Sequence, residues 1–83
     1  MQIEEVWALD TGRITAFFED QQDVTPAGSG FAFRDCRITV TALEPRRMAG
    51  MALPQTRVAF DGAETSVMSV YQRFHLRFLS AGG

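Results

Sequence analysis

The chain has 83 residues, 46% of them hydrophobic, with a formal net charge of −2 and a single cysteine. A chain this short carries one thin core, so residues 1–83 are expected to form a single β domain. The acidic balance argues against a protein whose main task is gripping nucleic acid, Cys36 alone excludes an internal disulfide, and no apolar run approaches a membrane span.

The opening segment, MQIEEVWALD, has no basic stretch leading into an apolar one, so no signal peptide is expected and the protein is placed in a cytoplasm. Along the chain the dominant period is two. A first strand is predicted from about Glu4 to Leu9, a tight turn at LDTGR, and a second strand from about Arg13 to Glu19. In that second segment Ile14, Ala16 and Phe18 fall on one face and Arg13, Thr15 and Glu19 on the other, with Phe17 the exception. A polar stretch, DQQDVTPAGSG, follows before the aromatic pair in FAF. It reads as a long loop, although a hairpin between strands usually takes only two to five residues.

Further on, Ile38, Val40 and Ala42 alternate with Arg37, Thr39 and Thr41, as a half-buried strand requires. In EPRRMAGM, proline and glycine bracket one short helical turn from Pro45 to Ala49. Pro54 opens the next stretch, with a strand near Arg57 to Phe60 and a turn at Asp61-Gly62. Two more strands are expected, Thr65 to Tyr71 and Phe74 to Leu79, the latter because Phe74, Leu76 and Phe78 alternate with His75 and Arg77. The predicted fold is all-β, an antiparallel meander curling into a small barrel or sandwich, with a long loop between strands 2 and 3 and at most one short helical turn.

Residues that could carry chemistry are few. His75 and Cys36 invite a nucleophile and base, but His75 falls on the expected solvent face and a lone cysteine serves well as a small hydrophobe. One histidine and one cysteine are too few for a structural zinc site. Glu19, Asp20 and Asp23 lack the regular ligand spacing and closing glutamate of a calcium loop, and read as a solvated acidic loop. AGSG is not followed by GKS or GKT, so it is no phosphate cradle; its small residues suit flexibility or close backbone approach. Binding of single strands would need aromatic and basic residues interleaved on an open face, and the alternating aromatics fall inward. No catalytic, cofactor-binding or metal-ligating residue is assigned, no cofactor is expected, and the chain does not read as an enzyme.

Three stretches, AFFEDQQDVTPAGSGFAF, ITVTALEPRRMAG and TRVAFDGAETSVMSVYQRFHLRFL, resemble the head–tail attachment proteins of lambda-like tailed phages, over about Ile14 to Leu79. The resemblance implies a virion structural protein of a phage or prophage, assembled in the host cytoplasm into a ring at the neck. Its partners would be other copies of itself and the head-completion or portal and tail proteins. DNA would pass through the ring without specific binding, past acidic groups such as Glu19, Asp20 or Asp23, and no membrane is involved. The loop would become ordered on assembly, with partner contacts at Asp20, Gln21, Gln22, Asp23, Val24, Thr25, Pro26, Ala27, Gly28, Ser29, Gly30 and Phe31. The alternative is a small bacterial β-barrel adaptor or nucleic-acid-binding module.

Overall fold

The computed structural model describes residues 1–81, and side chains as far as residue 79. Its elements run β1 (Gln2–Trp7), α1 (Thr11–Glu19), β2 (Thr25–Ala27), β3 (Gly30–Phe33), β4 (Cys36–Met48), β5 (Met51–Gly62) and α2 (Glu64–Ala81). The five strands make one antiparallel sheet in the order β1-β5-β4-β3-β2. β2 to β5 form a meander, and β1 pairs with the far side of β5. The predominantly antiparallel β character expected of the sequence is present. The sheet is open, however, because its edges β1 and β2 lie at opposite sides and two helices, not a second sheet, complete the core.

The first helix replaces the expected second strand. Asp10 caps it, with its side chain accepting from the Gly12 amide at 3.0 Å, so LDTGR starts a helix instead of turning a hairpin. Ile14 and Phe18 lie four residues apart on one helical face and are fully buried, and Phe17, which broke the strand pattern, packs beside them. The last two expected strands are likewise one helix. Val67, Val70, Phe74 and Phe78 are buried at spacings of three and four, with Tyr71 partly buried on the same stripe. Leu76, an apolar member of the alternating pattern, is 66% exposed. Between Gly62 and α2 the chain has almost no room: a β-carbon on Gly62 would sit 1.9 Å from the Asp35 carbonyl oxygen. Only glycine fits that corner.

The core lies between helices and sheet and is largely aromatic. Phe18 stacks on Phe74 with ring centroids 5.6 Å apart, and Phe60, Phe31 and Trp7 close around the pair. Thr56, a fully buried polar residue, donates to the Leu9 carbonyl at 2.8 Å and lies 2.7 Å from the Thr11 hydroxyl, which ties β5 to the start of α1. Among the described residues no buried side-chain nitrogen or oxygen lacks a partner.

The long loop is also mostly structured. Pairing of Ala27 with Gly30 leaves a two-residue turn, Gly28-Ser29, between β2 and β3. Gly28 takes φ +58° at its first central position, as a hairpin turn of this length favours. What remains irregular is the short passage Gln21 to Val24. The expected helical turn at Pro45 to Ala49 is instead the far end of a hairpin. Met48 pairs with Met51, and the turn residues Ala49 and Gly50 both adopt positive φ, +49° and +79°. That conformation matches the twist of two antiparallel strands. The register shifts between Leu43 and Arg46, where Glu44 and Pro45 oppose Pro54. Neither proline has an amide hydrogen to give to the ladder, so both sit at the bulge.

Candidate assembly surface

The register shows how far the sheet supports its longest hairpin. β1 accompanies β5 only from Thr56 to Asp61, and β3 accompanies β4 only from Cys36 to Thr39. From Leu43 to Gln55 the hairpin is therefore a ribbon that, among the described residues, has no third strand beside it. Nine residues from Val40 to Met48 reach about 30 Å at roughly 3.3 Å per residue, which accounts for a molecule 42 Å long and only 27 by 23 Å across. An isolated two-stranded ribbon is marginal in water without something packed on it.

Its side chains invite a cover. Met48 and Met51, opposite each other at the tip, are 49% and 64% exposed. Arg46 lies opposite Leu53 on the same face, and Arg47 lies opposite Ala52 on the other. On β5 the buried residues Thr56, Val58 and Phe60 face the helices, so Met51, Leu53 and Gln55 belong to the face without helices. The ribbon carries Arg46 and Arg47 against Glu44, a net charge of +1, leaving −3 on the remainder of a chain of net −2. Among the described residues no ion pair involves Glu44, Arg46 or Arg47. Methionine adapts its shape to a partner and arginine makes two-pronged contacts, so this is a surface suited to protein contact.

A second surface is the groove between the helices, about 490 Å³ in volume and open to solvent. Phe17 and Phe78 form its floor, with ring centroids 5.6 Å apart. Arg13 and Ala16 from α1, Asp20 at its C-terminal cap and Arg77 from α2 line its sides, and the Arg77 guanidinium lies 5.6 Å over the Phe78 ring.

The residues expected to contact partners divide into four groups. Val24 and Phe31 are spent in the core. Gln21 and Asp23 hold Arg73: the guanidinium donates to Asp23 at 2.8 and 3.2 Å and to the Gln21 side chain at 3.1 Å, and it sits 5.2 Å from the Phe33 ring. Hydrogen bonding and the positive charge of Arg73 hold the Asp23 carboxyl below its ordinary range. Asp20 forms the end of α1, its amide donating to Ala16 and Phe17. Exposed and unengaged in these ways are Gln22, Thr25, Pro26, Gly28 and Ser29, with Ala27 and Gly30 half-buried. The arm was missed because Pro45 and Gly50 suggested a helical turn; the alternation running on from CRITVTAL toward MALPQTRVAF was the available signal.

The residues considered for chemistry stay apart. Cys36 is buried, and its thiol lies 3.7 Å from the Arg37 carbonyl; burial pushes its pKa up. His75 packs edge-on against Trp7 and lies beside Tyr71. The Tyr71 hydroxyl donates to Glu5 at 2.9 Å, and burial followed by that carboxylate raises its pKa. Glu19 and Asp20 are exposed at the end of α1, whereas Asp23 is engaged with Arg73. Compared with known proteins, the chain matches no family model and no curated protein.

Proposed function

We propose that this chain is a structural protein of a phage or prophage virion that joins the DNA-filled head to the tail by assembling into a ring at the neck. The observation that carries the reading is the two-stranded arm, Leu43 to Gln55, which exposes Met48 and Met51 and, among the described residues, pairs with no third strand. A chain with a small rigid body and one uncovered arm is suited to contact with neighbouring subunits, because the ribbon gains packing only when a partner supplies it. The sequence resemblance described above names the setting, and the acidic net charge suits a ring through which DNA passes without sticking.

The contact surface is therefore centred on the arm, and the β2–β3 hairpin is a secondary one. Gln22, Thr25, Pro26, Gly28 and Ser29 are its available residues. Since most of the Gln21–Gly30 segment is already paired and partly packed within the chain, the element that gains packing on assembly is the arm. The test is electron microscopy of particles from an induced source prophage lacking this gene. Filled heads and finished tails lying apart support the reading; intact infectious virions overturn it. Complementation with a chain whose arm is shortened to a two-residue turn should leave the same separated parts.

A further inference from the structure

The arm closes on a turn that suits it poorly. Met48 pairs with Met51, so Ala49 and Gly50 are its two central residues, at φ +49° and +79°. Glycine reaches that left-handed region freely, whereas a residue with a β-carbon crowds the following carbonyl oxygen there. The β2–β3 hairpin avoids the difficulty by placing Gly28 first. Among the described residues one other non-glycine residue has a positive φ, Arg34 at +50°, and its guanidinium lies 4.9 Å over the Phe33 ring of the body. Ala49 is exposed at the end of a ribbon that, among the described residues, no third strand accompanies. A strained backbone persists where the surrounding structure fixes it, and here the restraint is the ribbon itself.

Opening that turn breaks no core contact that a second copy cannot return. β5 and α2, which follow the turn, supply Val58, Phe60, Val67, Val70, Phe74 and Phe78 to the core. The elements before the turn form the complementary half, and a second copy offers the same two halves. With residues 49 and 50 extended, Met48 of one copy lies opposite Met51 of the other and Ala49 opposite Gly50. The ladder then runs on through the former turn. Exchange relieves Ala49 in both copies and keeps every core contact.

We propose that two copies exchange β5 and α2 through the arm, giving a two-fold dimer in which each aromatic core is built from both chains. The partner is a second copy of this chain, and its fit is that of the single chain's own core. Leu43 to Gln55 of the two chains form one shared ribbon about 40 Å long, at roughly 3.3 Å per residue, with a body at each end. Because the exchanged half carries much of the core, the body must unfold for exchange to occur. The dimer therefore forms on refolding at high concentration and returns to monomer slowly. The exchange is independent of the neck reading: such a dimer can form in a protein with no place in a virion.

The test is refolding of the purified full chain from urea over a concentration series, followed by sedimentation velocity. A dimer should appear at high concentration and persist after dilution. Met48→Cys with Met51→Cys then reports which chain each strand belongs to, the native Cys36 being buried. Oxidation of the isolated dimer should link two chains on a non-reducing gel, because positions 48 and 51 face each other across copies. The isolated monomer should close within one chain. Ala49→Asn supplies the asparagine–glycine pair that such turns favour. It should raise the dissociation constant, measured after refolding, at least about tenfold, since each dimer holds two such hinges. Gly50→Val places a β-carbon that meets nothing within 4 Å but disfavours the left-handed turn, and should lower the constant by a similar factor. Should the cysteine pair impair refolding, the opposed shifts of these two variants decide alone. A chain that refolds only to monomer at every concentration, a dimer whose cysteines close within single chains, or two substitutions that shift the dimer alike would each overturn the proposal.

Discussion

Between Cys36 and Thr39, strand β4 has a neighbour on each side; from Leu43 to Met48 the same strand has one neighbour, and most of its side chains meet water. The first stretch buries Cys36 and Ile38 within the aromatic core, while the second ends in exposed methionine. One continuous strand thus belongs to two regions with different physics. The body is held by desolvated aromatic packing. The arm is held by backbone pairing and a two-residue turn, a difference that should appear as a steep gradient in local stability.

Substitutions can break or sharpen that contrast. The largest effect is expected in the body, at Phe74, which is fully buried and meets Phe18, Phe60, Trp7 and Phe78. Phe74→Ala should cost about 3–5 kcal/mol of unfolding free energy, measured by urea denaturation. Next is Gly62→Ala, which forces a β-carbon against the Asp35 carbonyl and should cost about 1–3 kcal/mol in the same assay. Removing the cap of α1 with Asp10→Ala should cost about 1 kcal/mol. By contrast, Met51→Ser at the exposed arm tip should change monomer stability by less than about 0.5 kcal/mol. A large loss there would mean that the arm is part of the folding unit, and the contrast would fail.

A smaller effect is tied to pH. Asp23 is held below its ordinary carboxyl value of 3.8 by Arg73. Its lowered folded-state pKa contributes stability that is present in full above the unfolded value and lost as pH falls through the folded one. Thermal melts from pH 6 down to about pH 2, a range spanning ordinary carboxylate titration, should show Asp23→Asn with a shallower acid slope than the wild type. Parallel slopes would mean that the Arg73 pairing adds nothing to the fold.

The same division governs how much could be read from the sequence. The paired strands were legible where one face is buried: Ile38 and Val40 in β4 alternate with Arg37, Thr39 and Thr41, and Val58 and Phe60 in β5 alternate with Arg57, Ala59 and Asp61. The helices were not, because Ile14 and Phe18, like Phe74 and Phe78, satisfy both a two-residue alternation and a four-residue helical spacing. Phe17 in α1, and the long stripe Val67, Val70, Tyr71, Phe74, Phe78 in α2, settle the period as helical once the whole segment is counted. Asp10 before Thr11-Gly12 was a cap as readily as a turn. The arm was obscured differently. It buries little, so burial imposed no pattern on it, and its prolines mark a bulge that local propensity cannot tell from a helix start.

The central claim is that the arm lacks a partner in the single chain and gains one on assembly. Hydrogen–deuterium exchange of the purified protein, at low and at high concentration, tests it most directly. Amides between Leu43 and Gln55 should exchange early in the dilute protein and slow at high concentration, while those of Phe60 and Phe74 stay protected in both. Equal protection of arm and body in the dilute protein, or an arm that exchanges as fast at high concentration as at low, would contradict it.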